Sequence, residues 1–331
     1  MPHARRRGFA ALLLAVAGCA AADAPPPAAY QPQQPVEGEV RIWGAPEDGA
    51  LLRGWAAGFE ARQPHAHVTL SLHGPESTMA GVYNGVADLA LLPRELREPV
   101  EDMAFTWVYL YKPYTVEVAN AGLRPGRPST NLVVYVNRDN PLPRMDLAQL
   151  DGVFGAEHRR GAQNLRSWGE LGLDGDWKQR SIHVYGPPVD SIQAIYLRTA
   201  VLQDSYKWNG GYRELPGDGA AAVDAVAADP EGIAFGPAGS GDGKVKVLPL
   251  AAAADGPYEL PTAATIAGRT YPLARVITMV LNRAPGKPIA AGAQEFLRYV
   301  LSGEGQAVVA REGSYIPLAS ADATKQLAHL Q

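Results

Sequence analysis

The sequence predicts a two-lobed α/β protein, and three observations lead there. Apolar strand-like runs alternate with segments of helical period, joined by short loops, which is the pattern of βα units on a parallel sheet. Two such sets are separated by Gly/Pro-rich crossings near residues 119–130 and 250–270, with no internal repeat. The chain has 331 residues, 47% of them apolar and 19% charged, so it is globular in composition and long enough for two domains.

The N-terminus stands outside that fold. Arg5-Arg6-Arg7 and the apolar run Phe9 to Val16 form a basic and a hydrophobic region too short for a spanning helix. They end in Val16-Ala17-Gly18-Cys19, small residues before the single cysteine of the chain. This resembles the lipobox of bacterial lipoproteins, which implies removal of residues 1–18 and lipidation of Cys19. Arg6-Arg7-Gly8-Phe9 also loosely resembles a twin-arginine export signal. Ala20 after the cysteine implies an outer-membrane destination in a Gram-negative cell. Of 30 basic residues, three leave with the signal, so the remaining 27 against 34 acidic ones give a net charge of −7. A mildly acidic chain without Lys/Arg clusters argues against nucleic acid as a partner. Residues 19–37, with five prolines and hardly a charge, read as a tether of up to about 55 Å at the polyproline rise of about 3.1 Å per residue.

Glu39 to Trp43 reads as the first strand, and Gly44 to Gly49 as a tight loop. Leu51, Leu52, Trp55 and Phe59 then recur at helical spacing before a second strand, Val68 to Leu72. Gly74-Pro75 is a turn signal, Ser77-Thr78 stands at a helix start, and Gly85 closes that helix. Asp88 follows, ahead of the buried-type strand Leu89 to Leu92. A strand, a hydroxyl-bearing loop, a helix mouth and a carboxylate thus fall together. Helix N-termini hold anions through free N–H groups and the macrodipole, so this stretch reads as a small-ligand mouth. Further strands are expected at Leu132 to Val136, Ser181 to Tyr185, Gly232 to Phe235, its neighbour Val245 to Leu248, and Arg275 to Leu281. Helices are expected after Asp190-Ser191, over Ala220 to Ala228, and over Gln294 to Leu301 and Gln306 to Val309.

Several stretches, in order, resemble the phosphate-binding proteins of bacterial ABC importers. They are Tyr135-Val-Asn-Arg-Asp-Asn-Pro141, Leu147-Ala-Gln-Leu-Asp-Gly-Val-Phe154, Ser167-Trp-Gly-Glu-Leu-Gly-Leu173, Tyr271-Pro-Leu-Ala-Arg275 and Asn282-Arg-Ala-Pro-Gly-Lys-Pro288. Phe296-Leu-Arg-Tyr-Val-Leu-Ser302, Glu304-Gly-Gln306 and Gly313-Ser-Tyr-Ile-Pro-Leu318 complete the set. The resemblance runs from about residue 39 to 318. It implies a type II periplasmic-binding-protein fold with a hinge: lobe one over 38–122, lobe two over 123–262, and a return segment over 263–331. It implies no enzyme and no cofactor, but one phosphate held between the lobes by uncharged donors, one arginine and one aspartate, for delivery to an ABC permease.

Carried over residue by residue, the resemblance gives Ser77, Thr78, Asp88, Ser191 and Glu47 as candidate ligand residues. Arg94 matches a family arginine and reads as structural. Two loops depart from the family. Its Gly-Ser-Asp-Thr is Gly44-Ala45-Pro46-Glu47 here, and its Gly-Arg…Ser-Gly-Thr is Gly186-Pro187…Ser191-Ile192-Gln193, without the arginine. A charge-assisted contact left unmade in a desolvated cleft costs about 2–5 kcal/mol. A Glu47 carboxylate roughly 5 Å from a dianion adds about 6 kcal/mol of repulsion at an effective dielectric near 20. Together these rival the ~8 kcal/mol of a micromolar complex. Tight phosphate binding is therefore expected to be lost unless Glu47 turns outward and another cation substitutes.

Other patterns carry less. Glu47 with Asp88 offers a carboxylate pair for a cationic or polar ligand, against the plainer role of an acid near a helix N-terminus. Ser77, Thr78 and Ser191 serve equally as helix caps. Gly239-Ser-Gly-Asp-Gly-Lys244 lacks the spacing of a nucleotide loop and reads as a surface turn. His65, His67 and His73 lack partners at metal spacing, and no Gly-x-Ser-x-Gly elbow is present. Trp43, Trp55, Trp107 and Trp168 are assigned to the core, with one of them as a candidate to line the cleft. The rival to a transport receptor is a degenerate binding fold retained as a cell-envelope interaction or sensing module.

Overall fold

The computed structural model describes residues 27–331 except 75–76, 95, 97–99 and 126–129. The signal region and Cys19 lie outside the described residues. Two five-stranded sheets organise the chain. The first, in the order β2-β1-β3-β12-β4, comprises β1 (Gly38–Gly44), β2 (Ala66–Leu72), β3 (Leu89–Leu92), β4 (Tyr114–Asn120) and β12 (Val276–Leu281). The second, β10-β5-β9-β7-β8, comprises β5 (Leu132–Asn137), β7 (His183–Gly186), β8 (Arg213–Glu214), β9 (Gly232–Pro237) and β10 (Val245–Val247). A small pair, β6 (Met145–Asp146) and β11 (Leu250–Ala251), sits beside the second sheet's lobe.

The sheets are mixed, where the sequence predicts parallel ones. β1, β2 and β3 are parallel, but β12 runs antiparallel to both β3 and β4. The chain crosses into lobe two after β4 and returns at β12, so the returning strand enters its sheet from the cleft end. For the same reason β5 starts at the crossing and runs antiparallel to β9, while β7 and β9 are parallel. β10 pairs with β5, not with β9 as the sequence predicts.

Helices cover the lobe-one sheet on both faces. α1 (Gly49–Glu60), α8 (Ala291–Val300) and α9 (Gly303–Glu312) pack on one side around Trp55, Phe59, Phe296 and Leu297, all fully buried. α8 shows why such a segment is a helix on a core: Ala293, Phe296, Leu297 and Val300 fall at the i, i+3, i+4, i+7 positions of one face. The Trp55 indole donates to the Gly305 carbonyl at 2.9 Å and ties α1 to α9. α2 (Thr78–Tyr83) and α3 (Val100–Tyr109) close the other face around Val82, Leu92 and Phe105. In lobe two, α4 (Leu147–Phe154) and α5 (Ile192–Ala200) build the main core, and α6 (Ala220–Ala228) packs on Tyr185 and Ala234. α4 starts on a capping box between Asp146 and Gln149. The short α7 (Ala263–Ala267) and the C-terminal α10 (Ser320–His329) complete the fold.

Two boundaries differ from the sequence reading. The tether does not extend to residue 37. Tyr30 is 3% exposed, its hydroxyl donates to Glu295 at 2.8 Å, and the Gly303 N–H donates to the Ala28 carbonyl. Val36 is buried and its N–H donates to the Gln63 side chain. One tyrosine and one valine thus strap this segment to lobe one, and burial pushes the Tyr30 hydroxyl's pKa up. The return to lobe one also comes later than residue 263, because Ile266, Tyr271 and Leu273 are in the lobe-two core. The second crossing lies at Ala274–Val276, beside the first at Asn120–Asn131. Of the four tryptophans assigned to the core, Trp55 and Trp168 are there, Trp43 is half-buried, and Trp107 is 73% exposed on α3. Among the described residues no helix is long and apolar enough to cross a membrane.

Candidate functional site

In a βα layout, ligands sit at the carboxyl ends of the strands, where helices begin. In lobe one these ends are Gly44, Leu72 and Leu92, and in lobe two Gly186, Glu214 and Pro237. Both crossings also leave from these ends, so the two sets of loops flank the gap between the lobes.

After β1, Pro46–Asp48 forms a single 3-10 turn that runs straight into α1. Glu47 is half-buried in this turn. Asp48, 1% exposed, accepts the Tyr315 hydroxyl at 2.5 Å, which fixes the turn to the C-terminal tail. After β2, the His73 imidazole packs against Trp43 at a tilt of 48°, with ring centroids 4.2 Å apart. Ser77 and Thr78 start α2, Thr78 fully buried and Ser77 exposed. Neither caps the helix by accepting an N–H. Their hydroxyls turn back to the Gly74 carbonyl, at 3.0 and 3.4 Å. After β3, Arg94 and Glu101 make a buried bidentate pair at 2.8 and 2.6 Å. This arginine joins a strand end to the first turn of α3, the structural role its sequence position suggested.

Asp88 is not part of this mouth. It precedes β3, and in the parallel register Ile42 pairs with Leu89, so Asp88 lies level with Arg41, at the middle of β1 and below the strand ends that form the mouth. Arg41 grips it through its backbone N–H at 2.8 Å and its guanidinium at 2.7 Å. Glu47, beyond Gly44, and Asp88, level with the middle of β1, are therefore not side by side, and Asp88 is held by Arg41.

The lobe-two mouth is lashed from below. Gly186 ends β7, and a side chain there would meet the Tyr212 hydroxyl at 2.0 Å, so the position admits only glycine. That hydroxyl donates to the Pro187 carbonyl at 2.6 Å, and the Val189 N–H donates to Glu214 at 3.0 Å. Burial pushes the Tyr212 pKa far up, so it stays a neutral donor. Ser191 caps α5 by accepting the Ala194 N–H at 3.2 Å. Two helix starts face the gap from this lobe, α5 behind Ser191 and α6 behind Gly219, whose φ of 108° places it in the left-handed region. Asp190 and Asp218 stand on the loops that lead into them, and Glu214 ends β8. The structure thus brings Glu47, Ser77 and Thr78 to the lobe-one side and Ser191 to the lobe-two side, and leaves Asp88 out. Among the described residues no cluster of His, Cys, Asp and Glu is arranged to hold a metal. The 239–244 loop is a turn with Gly239, Gly241 and Gly243 at positive φ.

Comparison with known proteins places this geometry. Residues 130–304 match the model of a PBP superfamily domain. The phosphate-binding protein PstS of Pseudomonas aeruginosa is 30% identical over 332 aligned positions, covering 98% of each chain. An ABC-type phosphate transport receptor from Vibrio cholerae matches with a TM-score of 0.54 at 19% identity, over 84% of this chain and 99% of its own. PstS from Borrelia burgdorferi matches with a TM-score of 0.56 at 15% identity, over 85% of this chain and 99% of its own. The structural matches establish the fold, that of type II periplasmic binding proteins. With the full-length sequence match, they make this chain a member of the phosphate-binding-protein family of ABC importers, transport receptors and not enzymes.

Proposed function

We propose that the protein is an extracytoplasmic solute receptor that takes phosphate or a related small oxyanion between its lobes and delivers it to an ABC permease. The observation that carries this reading is the match to a phosphate-binding protein over 98% of both chains. The local chemistry supports it: helix starts face the gap from both lobes, and their unpaired N–H groups are anion donors. Lobe one spans residues 38 to about 120 and the segment after 275, lobe two the part between, and closure is a hinge motion about the paired crossings. Ser191 is the hydroxyl at the ligand, since its oxygen accepts the Ala194 N–H and its O–H remains to donate. Ser77 and Thr78 reach the ligand by turning their O–H groups from the Gly74 carbonyl, and Glu47 stands at the same lobe-one mouth.

Thermal melting of the chain without its signal, with and without phosphate, sulfate and amino acids, tests this. A ligand at a hundred times its Kd adds ~2.7 kcal/mol, a shift of a few degrees for domains of this size. A shift with phosphate supports the reading. No shift with any solute favours the second reading, an envelope interaction or sensing module. That reading is motivated by Glu47 and by the lost lobe-two arginine. Cys19 is proposed as the lipid anchor. Cys19→Ser is expected to move the protein from the membrane to the soluble fraction, and an unchanged membrane fraction would remove the anchor from the proposal.

A further inference from the structure

The end of lobe one away from the cleft carries an apolar patch that the fold does not cover. Among the described residues seven large hydrophobic side chains are exposed, and five of them gather here: Val86, Met103, Trp107, Val108 and Leu110. Single exposed apolar residues are ordinary, but a group of this kind marks an interaction surface. Met103 and Trp107 of α3 and Leu110 just past its end are spaced i, i+4, i+7, so they share one side of the helix. Val86 joins them because its turn abuts the last turn of α3, where the Tyr109 hydroxyl lies 4.0 Å from the space beside Gly85. Leu110 is the sharpest case. It is 87% exposed, and its φ of 64° places it in the left-handed region, where helices usually end on glycine. The fold gains nothing from a leucine there.

The patch and the N-terminal strap lie at the same end of the lobe. α3 starts behind the β3 end, where Glu101 meets Arg94, and runs away from it toward Tyr114, which opens β4. The far end of β4, Asn120, enters the first crossing, so Leu110 is on the side turned from the cleft. Ala28 meets Gly303 at the start of α9, and the other end of α9 leads to the Ile316–Asn120 bridge at that crossing. From Pro27 back to Cys19 is eight residues, a reach of less than about 30 Å. The helix layers on the two faces of the sheet are roughly 20 Å apart, so a lipid on Cys19 is within reach of the patch. We propose that this patch rests on a phospholipid bilayer, with Trp107 and Leu110 in the interfacial region and the cleft turned away from the lipid. The proposal draws on the anchor reading only for this reach. Side chains that project so far need matching pockets in a protein partner, and a bilayer takes them without any. Trp is enriched at membrane interfaces, and an acyl anchor holds better with a second contact beside it. Charge contributes little: the Lys112 ammonium is 3.4 Å from Asp102, and the Arg283 guanidinium donates to the Gln331 carbonyl. The attraction is apolar, and salt does not screen it.

Flotation of the chain from Ala20 onward, with vesicles of phosphatidylcholine and phosphatidylethanolamine, tests the patch without the lipid anchor. The expected result is a vesicle-bound fraction that does not fall between about 0.05 and 0.5 M salt. Trp107→Ser with Leu110→Ser should lower partitioning about tenfold or more, with an unchanged melting temperature for the free protein. Leu110→Gly should lower partitioning a few-fold and raise the melting temperature, because glycine relieves the left-handed strain. Weaker binding by a more stable protein separates the patch from the fold. A parent that does not float, a doubly substituted protein that floats like it, or binding that salt abolishes overturns the proposal. Sedimentation that finds the parent a dimer and the double variant a monomer assigns the patch to a second copy and overturns it as well. Each of these outcomes leaves the receptor reading intact.

Discussion

Glu101→Ala is expected to lower the stability of the protein by about 3–5 kcal/mol, the cost of losing two charge-assisted hydrogen bonds at a buried site. Arg94 is 1% exposed, and its guanidinium meets Glu101 through two hydrogen bonds of 2.8 and 2.6 Å. Removing the carboxylate leaves a cation that cannot be deprotonated and has little access to water. The carboxylate also lies in the first turn of α3, where it favours the helix dipole. Replacing both residues, Arg94→Met with Glu101→Leu, should recover most of the loss, because the desolvation of both ions disappears with their attraction. Urea unfolding of the three proteins measures this. A single substitution costing under about 1 kcal/mol would mean that the site relaxes and hydrates Arg94. In that case the β3–α3 joint is not held by the pair.

The pair illustrates what the sequence revealed and what it hid. Strand and helix positions follow from periodicity, because a face that must be buried repeats visibly along the chain. α6 was legible to the residue from its run of small helix-forming residues. The crossings were only half legible. Gly and Pro mark exposed turns, and the stretch before Asn131 has both. The Gly/Pro-rich stretch at 250–270 instead belongs to lobe two, where Leu250 bridges to Glu259 and Ile266 enters the core. The second crossing carries neither residue, since Arg275 leads directly into the apolar strand β12.

Asp88 was misread for a reason of topology. A residue just before a parallel strand lies at the opposite end from the helix mouths, and Asp88 precedes Leu89 of β3. The strand-helix-strand pattern alone implied that placement. Tyr30 and Val36 were hidden by composition, because two apolar residues in a Pro/Ala/Gln stretch give no periodic signal, yet both are buried. Gln193 was visible only as a departure from the family loop. That it makes no hydrogen bond among the described residues is a property of the packed structure, with no sequence signal to announce it.

The second large effect is expected at the crossings. Asn131 is fully buried, and its side chain joins both connections between the lobes. Its amide donates to the Ala121 and Gly122 carbonyls at 2.7 and 3.0 Å, and its oxygen accepts the Arg275 N–H at 2.8 Å. The Ala121 N–H donates to the Arg275 carbonyl at 2.9 Å, so the strands are already in contact there. Asn131→Leu keeps the volume close and removes all three side-chain bonds. Each buried group left unsatisfied costs about 1–3 kcal/mol, so a loss of about 3–5 kcal/mol is expected. Asn131→Asp keeps the acceptor for the Arg275 N–H but turns a carboxylate toward two carbonyl oxygens, and should cost at least as much. Because the damage is confined to the crossings, hydrogen exchange should accelerate at the Ala121 and Arg275 amides. The Val116 and Phe235 amides, inside the two sheets, should keep the protection that the remaining global stability allows. A leucine variant with a loss under about 1 kcal/mol and unchanged exchange at Ala121 would show that backbone pairing alone holds the crossings. The lobes would then turn about a joint with no side-chain latch.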